Sequence, residues 1–259
     1  MKKLQPKIKK ILPKTIFILF ILAVWQFLFQ LNIWPDFLFP SPQMVTSTLI
    51  EGFRDGSFTS AITTSFRRLL IGYSISILFG ITLGILIASF QLIEDTIGPF
   101  ILALQSVPSV VWLPLALLWF SMGEKAIIFV VVLGGTWNMV INASTGIKNV
   151  QPVLIKAAKT MGVNKIQLFW KVILPAAVPH LITGMRLSWA FSWRALMAGE
   201  LIGSGDGLGQ ILMWGRDMGN MSLVITVILL IGTIGYLTDN FLFKKAESVV
   251  LNRWGLNTN

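Results

Sequence analysis

Six stretches of mainly apolar residues divide this chain, and each approaches the length of about 20 residues that a helix needs to cross a membrane. These predicted spans are residues 15–31, 69–90, 100–120, 126–143, 179–201 and 221–243. Hydrophobic residues make up 54% of the chain and charged residues only 12%, whereas an ordinary soluble domain is about 25% charged. The sequence therefore predicts an all-α fold, a polytopic membrane helix bundle.

A single membrane domain is expected over residues 1–259, because no segment between the spans is long enough to build a separate core. The lysines before residues 15–31, followed by the apolar run, resemble the start of a secretory signal peptide. However, the apolar run is longer than a usual signal core, and bulky Asn32-Ile-Trp-Pro35 follows it instead of small residues. We therefore interpret it as a retained first span.

Basic residues cluster at three places, which are the N-terminus, the segment after the fourth span and the C-terminus. The three clusters are Lys2, Lys3, Lys7, Lys9, Lys10 and Lys14, then Lys148, Lys156, Lys159, Lys165 and Lys171, then Lys244, Lys245 and Arg253. Lys and Arg are enriched in cytoplasmic loops. This distribution predicts an even number of spans in a bacterial cytoplasmic (inner) membrane, with both termini in the cytoplasm. The net charge of +10 then needs no nucleic-acid partner.

Several kinds of chemistry are excluded by residues that the sequence lacks. There is no cysteine, and His180 is the single histidine, so disulfides and clusters of Cys or His around a metal are excluded. The glycines from Gly203 to Gly209 are not followed by Lys-Ser or Lys-Thr, so they do not form a phosphate-binding loop. We predict no catalytic residues, no metal site and no cofactor bound by this chain. The glycines instead indicate a turn before a short helix at 210–218, and a second outer helix is expected at 43–53 with Ser41 as its cap.

The predicted cytoplasmic loop, residues 144–178, is longer than a turn requires and is patterned. Pro152 can open a helix, and Gly162 stands where the end of that helix requires positive φ. Asn164 can cap a second short helix that ends before Leu174-Pro175. The pattern fits a compact knob, with two exposed alanines, that inserts into a groove of another protein. The alternative from the pattern alone is an amphipathic helix resting on lipid headgroups.

The loop also resembles a known motif. Ala157-Ala-Lys-Thr-Met-Gly162, separated by nine residues from Val172-Ile-Leu-Pro175, is similar to the EAA loop of binding-protein-dependent ABC importer permeases. Lys156 departs from that family, which often has an acidic residue there, so an ion pair made by that acid in relatives is not expected here. The resemblance implies that an ATPase subunit is contacted by Leu154, Ala157, Ala158, Met161, Gly162, Leu174 and Pro175.

Other segments resemble the branch of these permeases that imports nitrate, sulfonates, taurine or bicarbonate, in which some relatives import vitamin precursors. The segments are Leu38-Phe-Pro-Ser-Pro42, Gln105-Ser-Val-Pro108, Leu113-Pro114, Trp119-Phe-Ser-Met-Gly-Glu124, Ala198-Gly-Glu200 and Gly207-Leu-Gly209. The resemblance implies a type I ABC importer permease (MetI-like) fold. It also implies two ATPase subunits that bind ATP and Mg, a second permease subunit and an extracytoplasmic solute-binding protein. The chain has no P-loop of its own, so its energy is expected from the ATPase.

Two arginines fall within the fifth span. Placing an arginine at the centre of a membrane helix costs about 2.5 to 3.5 kcal/mol of insertion free energy. Arg186 is close enough to the cytoplasmic end to extend to the headgroups. Arg194 is deeper, and either lines the pathway or forms a structural ion pair. Glu200 is the nearest acid in sequence but lies about 120° away around a straight helix. The predicted pathway residues are Gln105, Ser106, Ser109, Arg194 and Glu200.

Three other functions remain alternatives at this level. A secondary transporter driven by an ion gradient would predict inverted repeats and paired carboxylates within the membrane, and we find no convincing repeat. A membrane enzyme would need a cluster of catalytic side chains, which the chain does not offer. A membrane scaffold without transport activity is disfavoured only by the resemblance.

Overall fold

A computed structural model describes residues 5–203 and 205–253, with side chains described for 12–203, 205–250 and 252. Lys2, Lys3 and Ser204, the last within the glycine-rich segment, lie outside the described residues, as do the side chains of Lys7, Lys9, Lys10 and Arg253. Throughout the described part, every regular element is helical. The predicted all-α fold is therefore confirmed.

The helices follow one another with short connections. They are α1 Gln5–Gln30, α2 Pro42–Arg54, α3 Ser57–Ser89, α4 Gln91–Ser106, α5 Leu113–Phe120, α6 Glu124–Lys148, α7 Pro152–Thr160, α8 Lys165–Leu168, α9 Leu174–Ile202, α10 Leu208–Asp217, α11 Met221–Thr238 and α12 Lys244–Arg253. A 3₁₀ turn, Ser109–Trp112, precedes α5. One π-helical turn, Phe169–Ile173, joins α8 to α9, and another, Asp239–Phe243, joins α11 to α12.

Five helices among the described residues are long and apolar enough to cross a membrane. They are Leu12–Gln30, Ser57–Ser89, Glu124–Lys148, Lys165–Ile202 and Met221–Val250. A further pair, Gln91–Ser106 and Ser109–Phe120, passes the same test only when taken together, and it is bent by 95°. The bend falls at Pro108, where the missing N–H prevents the helix from continuing.

The centre of the bundle is α6, which packs closely against α3. Gly72, Gly80 and Gly84 lie along the face of α3 that meets α6. A methyl group added at any of these glycines would run into a side chain of α6, such as Met139 opposite Gly80. Small residues matter here because lipid competes with protein for apolar contacts, so helices in a membrane associate through close packing and hydrogen bonds.

A layer of serines surrounds Gly135, at the point where α3, α6 and α9 meet. Ser76 of α3 donates to the carbonyl of Val132 at 2.9 Å, and Ser188 of α9 donates to the carbonyl of Gly135 at 2.9 Å. Any side chain at position 135 would collide with the hydroxyls of Ser76, Ser188 and Ser192. This layer fixes how closely the three helices approach.

The predicted helix end at Leu174-Pro175 is wrong, because the helix continues from Lys165 to Ile202. Pro175 cannot donate a backbone hydrogen bond to the carbonyl of Lys171, four residues earlier. The π-helical turn Phe169–Ile173 contains that carbonyl and absorbs the change in backbone spacing. Pro179, predicted to open the fifth span, also lies inside α9.

The bundle has two ends that differ in their short helices, and we call one of them the α2–α10 end. There Ser41 caps α2, as predicted, by accepting a hydrogen bond from the backbone N–H of Met44 at 3.2 Å. Thr226 of α11 donates to the carbonyl of Val45 in α2 at 3.1 Å, so α2 is tied to the bundle. We call the other the α7–α8 end, where Lys148 at the end of α6 pairs with Glu94 of α4.

We expect Gly135→Ala to lower the free energy of unfolding by about 1 to 3 kcal/mol, because its methyl group overpacks the serine layer. Gly232→Ala in α11 is the matched control, since nothing lies within 4 Å of a methyl group there. Unfolding by sodium dodecyl sulfate in mixed micelles measures the difference. Equal effects of the two substitutions would contradict the close approach of α3, α6 and α9.

Candidate functional site

The segment between α6 and α9 forms the structured knob that its sequence predicts. Pro152 occupies the first turn of α7, and Gly162 has φ of +77° just after that helix. Asn164 caps α8 by accepting from the backbone N–H of Gln167 at 2.8 Å. The three predicted boundary residues of the knob are therefore confirmed.

The two alanines of the knob differ in exposure, which corrects the expectation that both are exposed. Ala157 faces outward, whereas Ala158 is buried and its carbonyl accepts from the backbone N–H of Val163 at 3.2 Å. The chain turns back after Gly162, and this brings the backbone of Val163 next to that of Ala158. Leu174 and Pro175 are half-buried in the long helix beyond the π-helical turn.

The knob presents an exposed apolar surface, which we call the α7–α8 surface. It consists of Val153, Leu154, Met161, Ile166 and Trp170. Met161 is the most exposed of them, at 81% of its full surface. Large exposed apolar side chains in one region mark a site of contact with protein or membrane.

The break between α4 and α5 borders a cavity of about 410 Å³ that opens to the surface of the chain. Four of the five predicted pathway residues line it, namely Gln105, Ser106, Ser109 and Arg194. The rest of the lining is Pro108, Val110, Phe191, Ala195 and Ala198. The cavity thus joins the broken helix to α9, and its polar groups come from residues that are distant in sequence.

Arg194 brings a positive charge to this cavity and pairs with none of the carboxylates that the structure describes. Its Cζ atom lies 5.3 Å from the centroid of the Phe191 ring. Among residues whose side chains are described, no Asp or Glu oxygen lies within 4 Å of its guanidinium. The alternative of a structural ion pair for Arg194 is therefore not supported within this chain.

Two other polar side chains of the cavity make hydrogen bonds to neighbouring groups of the chain. Gln105 donates from Nε2 to Oδ1 of Asn138 at 3.2 Å, and Ser106 donates to the carbonyl of Ala103 at 2.7 Å. Both side chains keep an oxygen that can accept a hydrogen bond. Within the described side chains, no group of three or more His, Asp or Glu residues could hold a metal ion.

Glu200, the fifth predicted pathway residue, lies away from the cavity lining. Only 1% of its surface is exposed, and Oε1 accepts from Nη1 of Arg68, itself 4% exposed, at 2.9 Å. Ser65 donates to Oε2 at 2.8 Å, and the backbone N–H of Gly209 donates to the same oxygen at 3.1 Å. The sequence analysis missed this cluster because its members come from α3, α9 and the start of α10.

Arg186, which the sequence predicts to extend to the headgroups, is held by two carboxylates of the chain itself. Its guanidinium binds Asp239 at 2.7 Å and Glu247 at 2.6 Å. Pairing with two carboxylates offsets part of the cost of taking this charge out of water. This ion cluster fastens α9 to the helix that runs from α11 into α12.

We expect Arg186→Gln to lower the free energy of unfolding by about 2 kcal/mol, because two charge-assisted hydrogen-bonded contacts are lost. Arg194→Gln should change it by less than about 0.5 kcal/mol, because no ion pair is broken. Thermal unfolding of the two variants in the same detergent provides the comparison. A loss of equal size for both would show that Arg194 has a structural partner.

Comparison with known proteins shows the family to which the chain is similar. Residues 80–244 match the family described as "Binding-protein-dependent transport system inner membrane component". The taurine transport system permease protein TauC of Escherichia coli is 30% identical, over 85% of this chain and 82% of its own length. The nitrate import permease protein NrtB of Synechocystis sp. is 31% identical, over 93% of this chain and 90% of its own length.

Solved structures resemble the fold. The inward-facing MetNI methionine ABC transporter contains a chain that superposes with a TM-score of 0.67 at 20% identity, covering 75% of this chain and 96% of that one. An amino acid ABC transporter with histidines gives a TM-score of 0.61 at 17% identity, covering 79% of this chain and 97% of that one. The bundle therefore has the MetI-like fold.

Proposed function

Because the chain belongs to the family of binding-protein-dependent transport system inner membrane components, we propose that it forms the pathway of an ATP-driven importer for a small anion. The chain itself is a membrane-spanning transport subunit and not an enzyme. Taurine, other sulfonates, nitrate and bicarbonate are the proposed cargo classes, as the names of its relatives suggest. The observation that carries the proposal is the guanidinium of Arg194 in this cavity, which no described carboxylate pairs with.

The cavity has the electrostatic character that an anion requires. Arg194 supplies a charge that the described carboxylates leave uncompensated. The helical segment Ser109–Phe120 begins at the cavity, and the first N–H groups of a helix lack partners and carry its positive end. Broken membrane helices in other transporters bind anionic groups in this way. We assign Gln105, Ser106, Ser109 and Arg194 to the pathway, and to Glu200 a supporting place outside it.

Energy for transport is proposed to enter through the α7–α8 surface, which would dock in a cleft of a separate ATPase subunit that binds ATP and Mg. Ala157, Met161 and Gly162 are exposed on the knob and available for contact. Leu174 and Pro175 lie in the helix that continues from α8 to Ile202, so displacement of the knob would move α9 as a rod. Such rigid-body movement between two packed states suits a gate that opens alternately to each side.

The proposed topology follows from this coupling. The α7–α8 end, together with both termini, would face the cytoplasm, and the α2–α10 end would face an extracytoplasmic solute-binding protein. A complete importer would contain two ATPase subunits and a second permease subunit, either another copy of this chain or a related one. The second permease would close the pathway, because Arg194 and the cavity open to the surface of the single chain.

We expect Arg194→Ala to raise the solute concentration for half-maximal import by about tenfold or more, because a charge-assisted hydrogen bond contributes about 1.5 to 3 kcal/mol. Uptake of labelled taurine and nitrate into proteoliposomes holding the complete complex measures the change. Arg67→Ala is the control, since Arg67 is exposed, paired with Glu124 and outside the cavity lining. Unaltered uptake kinetics in Arg194→Ala would contradict the pathway proposal.

We also expect Met161→Asp to abolish co-purification with the ATPase subunit, because a charge would replace an apolar contact at the α7–α8 surface. Met218→Asp is the matched control, because Met218 is 78% exposed but lies after α10 at the opposite end. Affinity purification of the permease, followed by quantification of the ATPase, gives the result. Retention of the ATPase by Met161→Asp would refute this docking surface.

A further inference from the structure

The start of α10 is capped by two other helices and not by its own residues. Gly207, which precedes the helix, has no side chain to accept its first N–H groups. Instead, Glu200 of α9 accepts from the N–H of Gly209, and Ser65 of α3 accepts from the N–H of Leu208 at 3.0 Å. A carboxylate at this position also complements the positive end of the helix.

The glycine-rich turn is shaped around the Arg68–Glu200 ion pair. A methyl group at Gly205 would collide with Nη2 of Arg68, and one at Gly207 would collide with the carboxylate of Glu200. At Gly209 it would meet Cβ of Glu200 at 2.6 Å. The glycines therefore allow the backbone to approach a buried ion pair closely, and this fixes the position at which α10 begins.

The opposite face of α10 is open. Trp214 is 50% exposed, and clefts of about 190 Å³ and 230 Å³ lie beside it, between α10, α2 and the start of α3. Gly215, on the inner face, packs against Leu223 and Val224 of α11. α10 is thus held from within at both of its ends, while its outer face is available to a partner.

We propose that Arg68 and Glu200 are positioning residues, which hold α10 in the orientation that the solute-binding protein requires for docking. This inference rests on the proposed function, which supplies that partner. Glu200 lies near the end of the helix that begins with α8, so the docking site is fixed to the helix that carries the α7–α8 surface. Neutralising the pair loosens α10 and weakens docking, while the pathway and the ATPase contacts remain.

The test uses the complete complex in proteoliposomes, with ATPase subunit and solute-binding protein, and a double variant, Arg68→Met with Glu200→Gln. Changing both residues avoids leaving one buried charge unpaired. The concentration of solute-binding protein for half-maximal uptake should rise about tenfold, whereas the maximal uptake rate stays within about twofold. The matched control is Arg67→Gln with Glu124→Gln, an exposed ion pair at the neighbouring position of α3, which should change neither quantity.

A second variant, Gly207→Ala, displaces the turn without altering charge and should raise the same half-maximal concentration. Gly232→Ala serves as its control, because a methyl group there has open space. An unchanged half-maximal concentration in both test variants would overturn the inference. So would a fall in maximal rate and complex yield without any change in that concentration, because this would indicate a purely structural role. If the unmodified complex fails to import with its ATPase, the proposed function itself is wrong.

Discussion

The structure depends on the close approach of α6 to α3 and α9. Lipid solvates apolar side chains as well as protein does, so these helices must be held by contacts that lipid cannot replace. Glycines on α3 and the serine layer around Gly135 supply them, through backbone proximity and hydrogen bonds between helices. Each interhelical hydrogen bond contributes only about 0.6 kcal/mol on average, so repetition of small residues along the interface matters more than any single bond.

Three arginines of the bundle differ in their partners. Arg68 pairs with Glu200 at the α2–α10 end, and Arg186 pairs with Asp239 and Glu247 nearer the α7–α8 end. Both ion clusters fasten α9 to neighbouring helices. Arg194 lies between them on the same helix and faces a cavity instead of a carboxylate. The contrast separates two arginines that join helices of the bundle from one whose guanidinium faces the cavity.

The sequence predicted those features that depend on neighbouring residues. Hydropathy over windows of span length indicated the helical membrane fold, and the signals of Ser41, Pro152, Gly162 and Asn164 are local caps and turns. Pro175 misled because proline usually ends a helix, and the π-helical turn that accommodates it has no clear sequence signal. The exposure of Ala158 was also misjudged, because it depends on how the chain folds back after Gly162.

The ion clusters could not be predicted in the same way. Ser65 and Arg68 each lie more than 130 residues before Glu200, and a single sequence does not reveal which distant charges meet. The angular offset between Arg194 and Glu200 indicated that they face different directions, but it did not identify Arg68 as the partner of Glu200. Likewise, Arg186 was interpreted within its own span, whereas its carboxylates lie on the next long helix.

Coupling to ATP hydrolysis requires the knob to lie on the cytoplasmic side of the membrane. Because the sequence contains no cysteine, single introduced cysteines can report directly on which side it lies. Single cysteines would be placed at Met161 and, as the opposite marker, at Met218, both of which are highly exposed. Sealed right-side-out vesicles would then be treated with a membrane-impermeant maleimide. We expect Met218→Cys to react in intact vesicles and Met161→Cys to react only after permeabilisation. Labelling of Met161→Cys in intact vesicles would place the knob outside the cell and contradict its coupling to a cytoplasmic ATPase.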